Sequence, residues 1–112
     1  MRAMHELALM ESIVAAVDER IRPARAARVR LQVGRLAGVM PDALQFCFDV
    51  CAQGTGLEGA ALEIDEIAGR GSCRHCGREL PMSTFLDPCP CGSLEIDLIA
   101  GQELRVKDVE VQ

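Results

Sequence analysis

The sequence predicts an α+β fold: two helices on a three-stranded sheet, interrupted by a lobe of different texture. Three observations carry this. Two stretches have helical apolar periodicity, three short stretches alternate as strands do, and four of six Cys gather in one Gly- and Pro-containing segment. At 112 residues, 49% hydrophobic and 26% charged, the chain has room and apolar content for one packed domain with an appendage.

The first helix is read from Leu7, Met10, Val14, Val17 and Ile21, which form one apolar stripe, with Glu11, Asp18, Glu19 and Arg22 outside it. Pro23 ends it. Val29, Leu31 and Val33 then alternate with Arg30 and Gln32 as a half-buried strand, followed by a turn over 34–38. Pro41 suits the first position of a second helix, and Asp42 suits its positive end. Leu44, Cys47, Phe48 and Cys51 share one face of it, Phe46 and Val50 broaden that face, and Gly54-Thr55-Gly56 stops the helix. Leu62, Ile64 and Ile67 mark a second strand; Leu104, Val106, Val109 and Val111 mark a third. Both shift apolar phase midway, which predicts a bulge in each.

Between these last two strands the chain changes character. The expected division is a core domain of residues 1–69 and 100–112 and a lobe of residues 70–99. Leu80, Met82, Phe85, Leu86 and Leu94 are too few to give the lobe a core of its own, so something other than burial must hold it. Cys73-Arg74-His75-Cys76, twelve further residues and Cys89-Pro90-Cys91 supply two Cys knuckles. Cys73, Cys76, Cys89 and Cys91 are therefore candidate ligands of a structural Zn(II), in a zinc-ribbon-like lobe. Metal binding contributes ~10–16 kcal/mol in small zinc peptides, the scale needed to order so poor a core. The second knuckle is one residue shorter than the usual C-x-x-C, and His75 is the substitute ligand should one thiolate fall short. Four protein ligands leave no open position for activating water, and no general base stands out, so an enzyme is not expected. Cys47 and Cys51 are assigned to packing.

Composition excludes further classes. Aromatics are 3% with no Trp or Tyr, which removes the stacking platform of single-strand binders, and the net charge of −5 opposes phosphate contacts. Nucleic acid is not an expected partner. No apolar run is long enough to span a membrane, and His5, Glu6 and Glu11 interrupt any signal-peptide core, so a reducing cytoplasm is expected. The competing reading is a zinc-ribbon adaptor for nucleic acid or protein. Arg70, Arg74 and Arg78 favour it, and Glu79, Asp87, Glu95 and Asp97 offset them.

His5 stands at the mouth of the first helix, where the first four amides have no intrahelical partner. Such amides can give up protons to a square-planar metal, and an all-nitrogen set of this kind suits Ni(II) or Cu(II). Met4-His5-Glu6-Leu7 is followed in order by residues 33–39, by Pro41 with residues 44–48, by Gly54-Thr55, by Glu58-Gly59-Ala60 with Leu62 and Ile64, and by residues 89–93. Together they resemble the hydrogenase nickel-insertion metallochaperones of the HypA/HybF family, from Met4 almost to the C-terminus.

The resemblance implies a nickel site with His5 as the imidazole ligand and Met4 and Glu6 supplying the neighbouring amine and amide. It also implies zinc on the four Cys and transient Ni(II) as cargo. The partners it implies are the large subunit of a [NiFe] hydrogenase and a nickel-handling maturation GTPase, with urease accessory proteins in some relatives. In the family the Met-His-Glu opens the chain, whereas here Met1-Arg2-Ala3 precede it; a translation start at Met4 is the expectation that keeps the amine available.

Overall fold

The computed structural model describes the backbone of residues 2–112 and the side chains of residues 5–112. Met1 lies outside the described residues, as does the side chain of Met4. The elements in chain order are α1 (Arg2–Ile21), β1 (Ala26–Gly34), α2 (Pro41–Ala52), β2 (Ala61–Ile67), β3 (Gly69–Cys73), β4 (Glu79–Met82), β5 (Ile96–Ala100) and β6 (Leu104–Val111). They form two sheets, ordered β2-β1-β6 and β4-β3-β5. The chain divides into two compact units, Met1–Leu31 with Val39–Asp65 and Arg105–Gln112, and Gln32–Gly38 with Glu66–Leu104. Among the described residues no helix is long and apolar enough to cross a membrane.

In the first unit the apolar stripe of α1 does what its spacing requires. Met10, Val14 and Val17 are buried, and so are Val29 and Leu31 on the alternating face of β1. From α2, Leu44, Cys47, Phe48 and Ala52 close the core. Phe46 and Val50 do not extend that face as expected: they are 69% and 46% exposed. The buried face of α2 is narrower than its apolar composition suggests. The burial pattern of β6 changes phase between Val106 and Val109, as its sequence does.

Helix α1 also starts earlier than the apolar stripe indicated, at Arg2 instead of Leu7, so Met4, His5 and Glu6 belong to the helix itself. Helix α2 begins with Pro41 after the extended residue Met40, which offers no side-chain cap. Glu6 of α1 takes that role: its Oε2 accepts the Met40 N–H at 2.8 Å. Glu6 is fully buried, and its Oε1 has no hydrogen-bond partner.

The second unit contains a sheet that sequence periodicity did not show. Strand β3 pairs antiparallel with β4 on one side and β5 on the other, with Gly71 opposite Leu80 and Leu98. A Cβ at Gly71 would collide with the Ile96 side chain, and one at Gly69 would collide with the Met82 carbonyl. The small core here is Leu36, Cys73, Leu80, Met82 and Cys89, with Ile96 and Leu98 against it. Of the apolar residues expected to supply it, only Leu80 and Met82 do. Phe85, Leu86 and Leu94 are 59%, 81% and 69% exposed. Two of the five buried core residues are thiols, so burial alone is a thin support and the expectation of a further stabilising element stands.

Candidate metal centres

The knuckles hang from β3 and from the loop before β5. Each is closed by a glycine with positive φ, Gly77 (77°) after Cys76 and Gly92 (94°) after Cys91, a conformation that side-chain-bearing residues avoid. The Gly77 N–H donates to the Cys73 carbonyl four residues back at 2.9 Å; the Gly92 N–H donates to the Cys89 carbonyl three residues back at 2.8 Å. The shorter second knuckle is thus the same turn drawn one residue tighter. Both of its thiols reach the cluster.

The four Sγ atoms lie within 4.8 Å of one another, with Cys73–Cys91 at 3.7 Å and Cys76–Cys89 at 3.5 Å. A tetrahedron of thiolates with metal–sulfur bonds of about 2.3 Å has edges of about 3.8 Å, so this donor set fits a tetrahedral thiophilic ion such as zinc. Each knuckle contributes one buried thiol, Cys73 or Cys89, and one exposed thiol, Cys76 or Cys91.

The local field at Cys73 favours surrender of a proton. The Cys76 N–H points at Cys73 Sγ at 3.5 Å, and this donor, with the His75 N–H and the neighbouring thiols, outweighs burial and draws the Cys73 thiol down to about 6. At Cys89 the Cys91 N–H pulls the same way, but burial and the three surrounding thiols together push it up to about 12. One thiolate among four crowded sulfurs raises the cost of the next. A cation at the centre removes that repulsion, and each added thiolate then costs less.

His75 is exposed on its turn and is not needed to complete the set. Cys47 is buried on α2 and Cys51 half-buried. Burial raises both thiols, with Glu6 adding to the first and Glu11 with Cys47 adding to the second. Neither joins a cluster of three or more metal-ligating side chains among the described residues. Of the basic residues near the first knuckle, Arg70 pairs with Glu79 at 3.6 Å and Arg74 with Asp97 at 2.7 Å, so two of the three charges that favoured an adaptor are neutralised in place.

At the other candidate centre the imidazole of His5 is exposed on α1. With the helix starting at Arg2, the amides of residues 2–4 lie among the first four and have no intrahelical acceptor. The Glu6 amide is the first placed to donate to a carbonyl within the helix, that of Arg2. Glu6 therefore has two separable parts: a backbone nitrogen next to His5, and a carboxylate buried against the start of α2.

A family model described as "Hydrogenase/urease nickel incorporation, metallochaperone, hypA" matches residues 4–111. The chain belongs to the HypA family. Similar HypA proteins, each described as a hydrogenase maturation factor, include one from Trichormus variabilis, 50% identical over 109 residues that cover 97% of this chain and 96% of that one. Another, from Geobacter metallireducens, is 44% identical over 110 residues, covering 97% of this chain and all of the relative. Two solved HypA structures share the fold. The solution structure of a HypA protein superposes with a TM-score of 0.73 at 20% identity, covering 97% of each chain. That of the Ni metallochaperone HypA from Helicobacter pylori gives 0.66 at 19% identity over 95% of this chain and 96% of the other.

Proposed function

We propose that this chain takes up Ni(II) at Met4-His5-Glu6 and passes it on during maturation of a [NiFe] hydrogenase, with zinc on Cys73, Cys76, Cys89 and Cys91 as a fixed structural ion. The observation that supports this most is the match to the nickel-incorporation family over residues 4–111, which opens on this tripeptide. An exposed imidazole on the first turn of a helix supports it independently.

In this account the His5 imidazole is the first ligand, and nearby backbone nitrogens complete an all-nitrogen set suited to Ni(II). The amides before His5 give up no helical hydrogen bond when they lose a proton; the Glu6 amide gives up one. When nickel leaves, Glu6 regains its bond to Arg2 and the helix start re-forms, which favours release to an acceptor. The buried Glu6 carboxylate sets the limit of this fraying, because residues before it can loosen while its tie to Met40 holds. The Met4 amine joins the set when translation begins at Met4, and the intact mass of natively expressed protein tests that directly. Zinc on four thiolates has no open position and stays behind, holding the second unit in shape. The proposed setting is the cytoplasm, and the proposed partners are the hydrogenase large subunit and a maturation GTPase, with urease accessory proteins as a second outlet.

The test is transfer. Zinc-replete protein loaded with Ni(II) is mixed with nickel-free large-subunit precursor and the GTPase, and the nickel content of each is measured after separation. Nickel is expected to move to the precursor while zinc remains. A chain that binds no nickel, or holds it against the precursor, overturns the proposal.

A further inference from the structure

Helices α1 and α2 pack against each other in the first unit, and their apolar surface does not end at the core. A groove of about 370 Å³ opens between them, lined by Leu7, Glu11 and Ala15 of α1 and by Val50 and Cys51 of α2. Phe46 stands one turn before Val50 on α2, and the two side chains are 69% and 46% exposed. Single apolar residues at a surface are ordinary. Here a phenyl ring and a branched side chain adjoin an open apolar groove, which is the mark of an interaction surface.

The charge around the groove has one sign. No Lys, Arg or His occurs between His5 and Arg20 on α1, or from residue 36 to residue 69, a stretch that includes all of α2. Glu11, Asp42 and Asp49 are exposed there, and none of them has an ion-pair partner among the described residues. Acids on the sheet and the second unit differ: Glu63 pairs with Arg28 and Arg30, Asp65 with Lys107, and Asp97 with Arg74.

We infer that the α1–α2 groove is a docking site for an amphipathic helix of a partner protein, with an apolar stripe against Leu7, Phe46 and Val50 and with Lys or Arg facing Glu11, Asp42 and Asp49. From Leu7 to Ala15 the groove follows about two turns of α1, the length over which a docked helix offers anchors at i, i+4 and i+7. The unpaired carboxylates select the sign of the occupant. A nucleic acid or an anionic lipid surface meets them with like charge, and a second α2 brings the same two Asp. Leu7 lies two residues from His5, so the seated helix stands beside the proposed nickel ligand. That link to metal transfer rests on the nickel reading, whereas the docking does not and is measured without nickel.

The experiment is anisotropy titration of the nickel-free, zinc-loaded full chain into two labelled helical peptides of roughly 16 residues. Both carry Leu at helical spacing; one is flanked by Lys and the other by Glu. Micromolar binding of the Lys peptide alone is expected, weakening as salt rises. Phe46→Ala/Val50→Ala should weaken it roughly tenfold or more. Both side chains are exposed, so that chain should melt with the parent and report on the surface alone. Glu11→Lys/Asp49→Lys should reverse the preference, so that the Glu peptide binds and the Lys peptide does not. Hydrogen exchange locates the contact: amides of α2 and of the first half of α1 should slow with the Lys peptide, while those of β3, β4 and β5 do not change. No binding of the Lys peptide, equal affinity for the two peptides, or indifference to either double substitution overturns the inference. So does protection of α2 that rises with chain concentration alone, which would assign the groove to a second copy.

Discussion

Replacing Glu6 by Ala removes the side chain that caps the start of α2. The part-buried Met40 N–H, now bonded to Glu6 Oε2 at 2.8 Å, loses its acceptor, and α2 has no cap of its own to substitute. Losing a cap costs about 0.5–2 kcal/mol, and leaving a buried donor unsatisfied costs about 1–3 kcal/mol; the two describe the same bond and are not added. Against this stands the buried Oε1, which has no partner and whose removal returns part of its own desolvation cost. The balance is a net loss of about 1–2 kcal/mol, a fall in Tm of roughly 5–10 °C for a chain of this size. Glu6→Gln keeps an acceptor for Met40 and should lose less than about 1 kcal/mol. Thermal melting of zinc-loaded protein measures both, and amide exchange at Met40 reports on the bond itself. An Ala variant that melts with the parent protein, or whose Met40 amide is as protected as before, would refute the capping argument.

Cys76→Ser should lose bound zinc and speed amide exchange throughout β3, β4 and β5, while nickel uptake at His5 persists; unchanged zinc stoichiometry would remove Cys76 from the ligand set. Asp18 accepts the Gly56 N–H at 2.8 Å and pairs with Arg22 at 2.8 Å, and these, the first foremost, hold its carboxyl below the usual range. A carboxyl depressed in the folded state stabilises above its unfolded pKa and loses that contribution as pH falls through the folded value. Asp18→Asn should therefore be less stable than the parent at neutral pH, with the gap closing as pH falls below about 4. A gap independent of pH in parallel melts would contradict this.

Elements with a period of their own were legible in the sequence. The stripe from Met10 to Val17 found its core, and Pro41 marked the start of α2 to the residue. The Cys knuckles predicted the one dense cluster of metal-ligating side chains among the described residues. What escaped depends on neighbours distant in the chain. Strand β3 reads Gly-Arg-Gly-Ser-Cys, with too few side chains to show alternation, because Ile96 and Met82 occupy the space its side chains would need. Strand β4 is four residues long and carries a proline. Leu36, in a turn far from the knuckles in sequence, completes the small core around them. The sequence sets Glu6 beside His5, and nothing local announces that its carboxylate is buried against a residue 34 positions on. Phe46 and Val50 stay exposed for the same reason: apolar character marks a possible core face, and the packing partner decides its width.

The central claim is that nickel and zinc occupy separate sites, with His5 indispensable to one and irrelevant to the other. The direct measurement is equilibrium titration of Ni(II) into parent and His5→Ala proteins, each first shown to carry zinc by metal analysis. The account predicts one zinc per chain in both, nickel binding in the parent, and loss of tight nickel binding in the variant. Nickel affinity unchanged by the substitution, or zinc lost with it, would contradict the account.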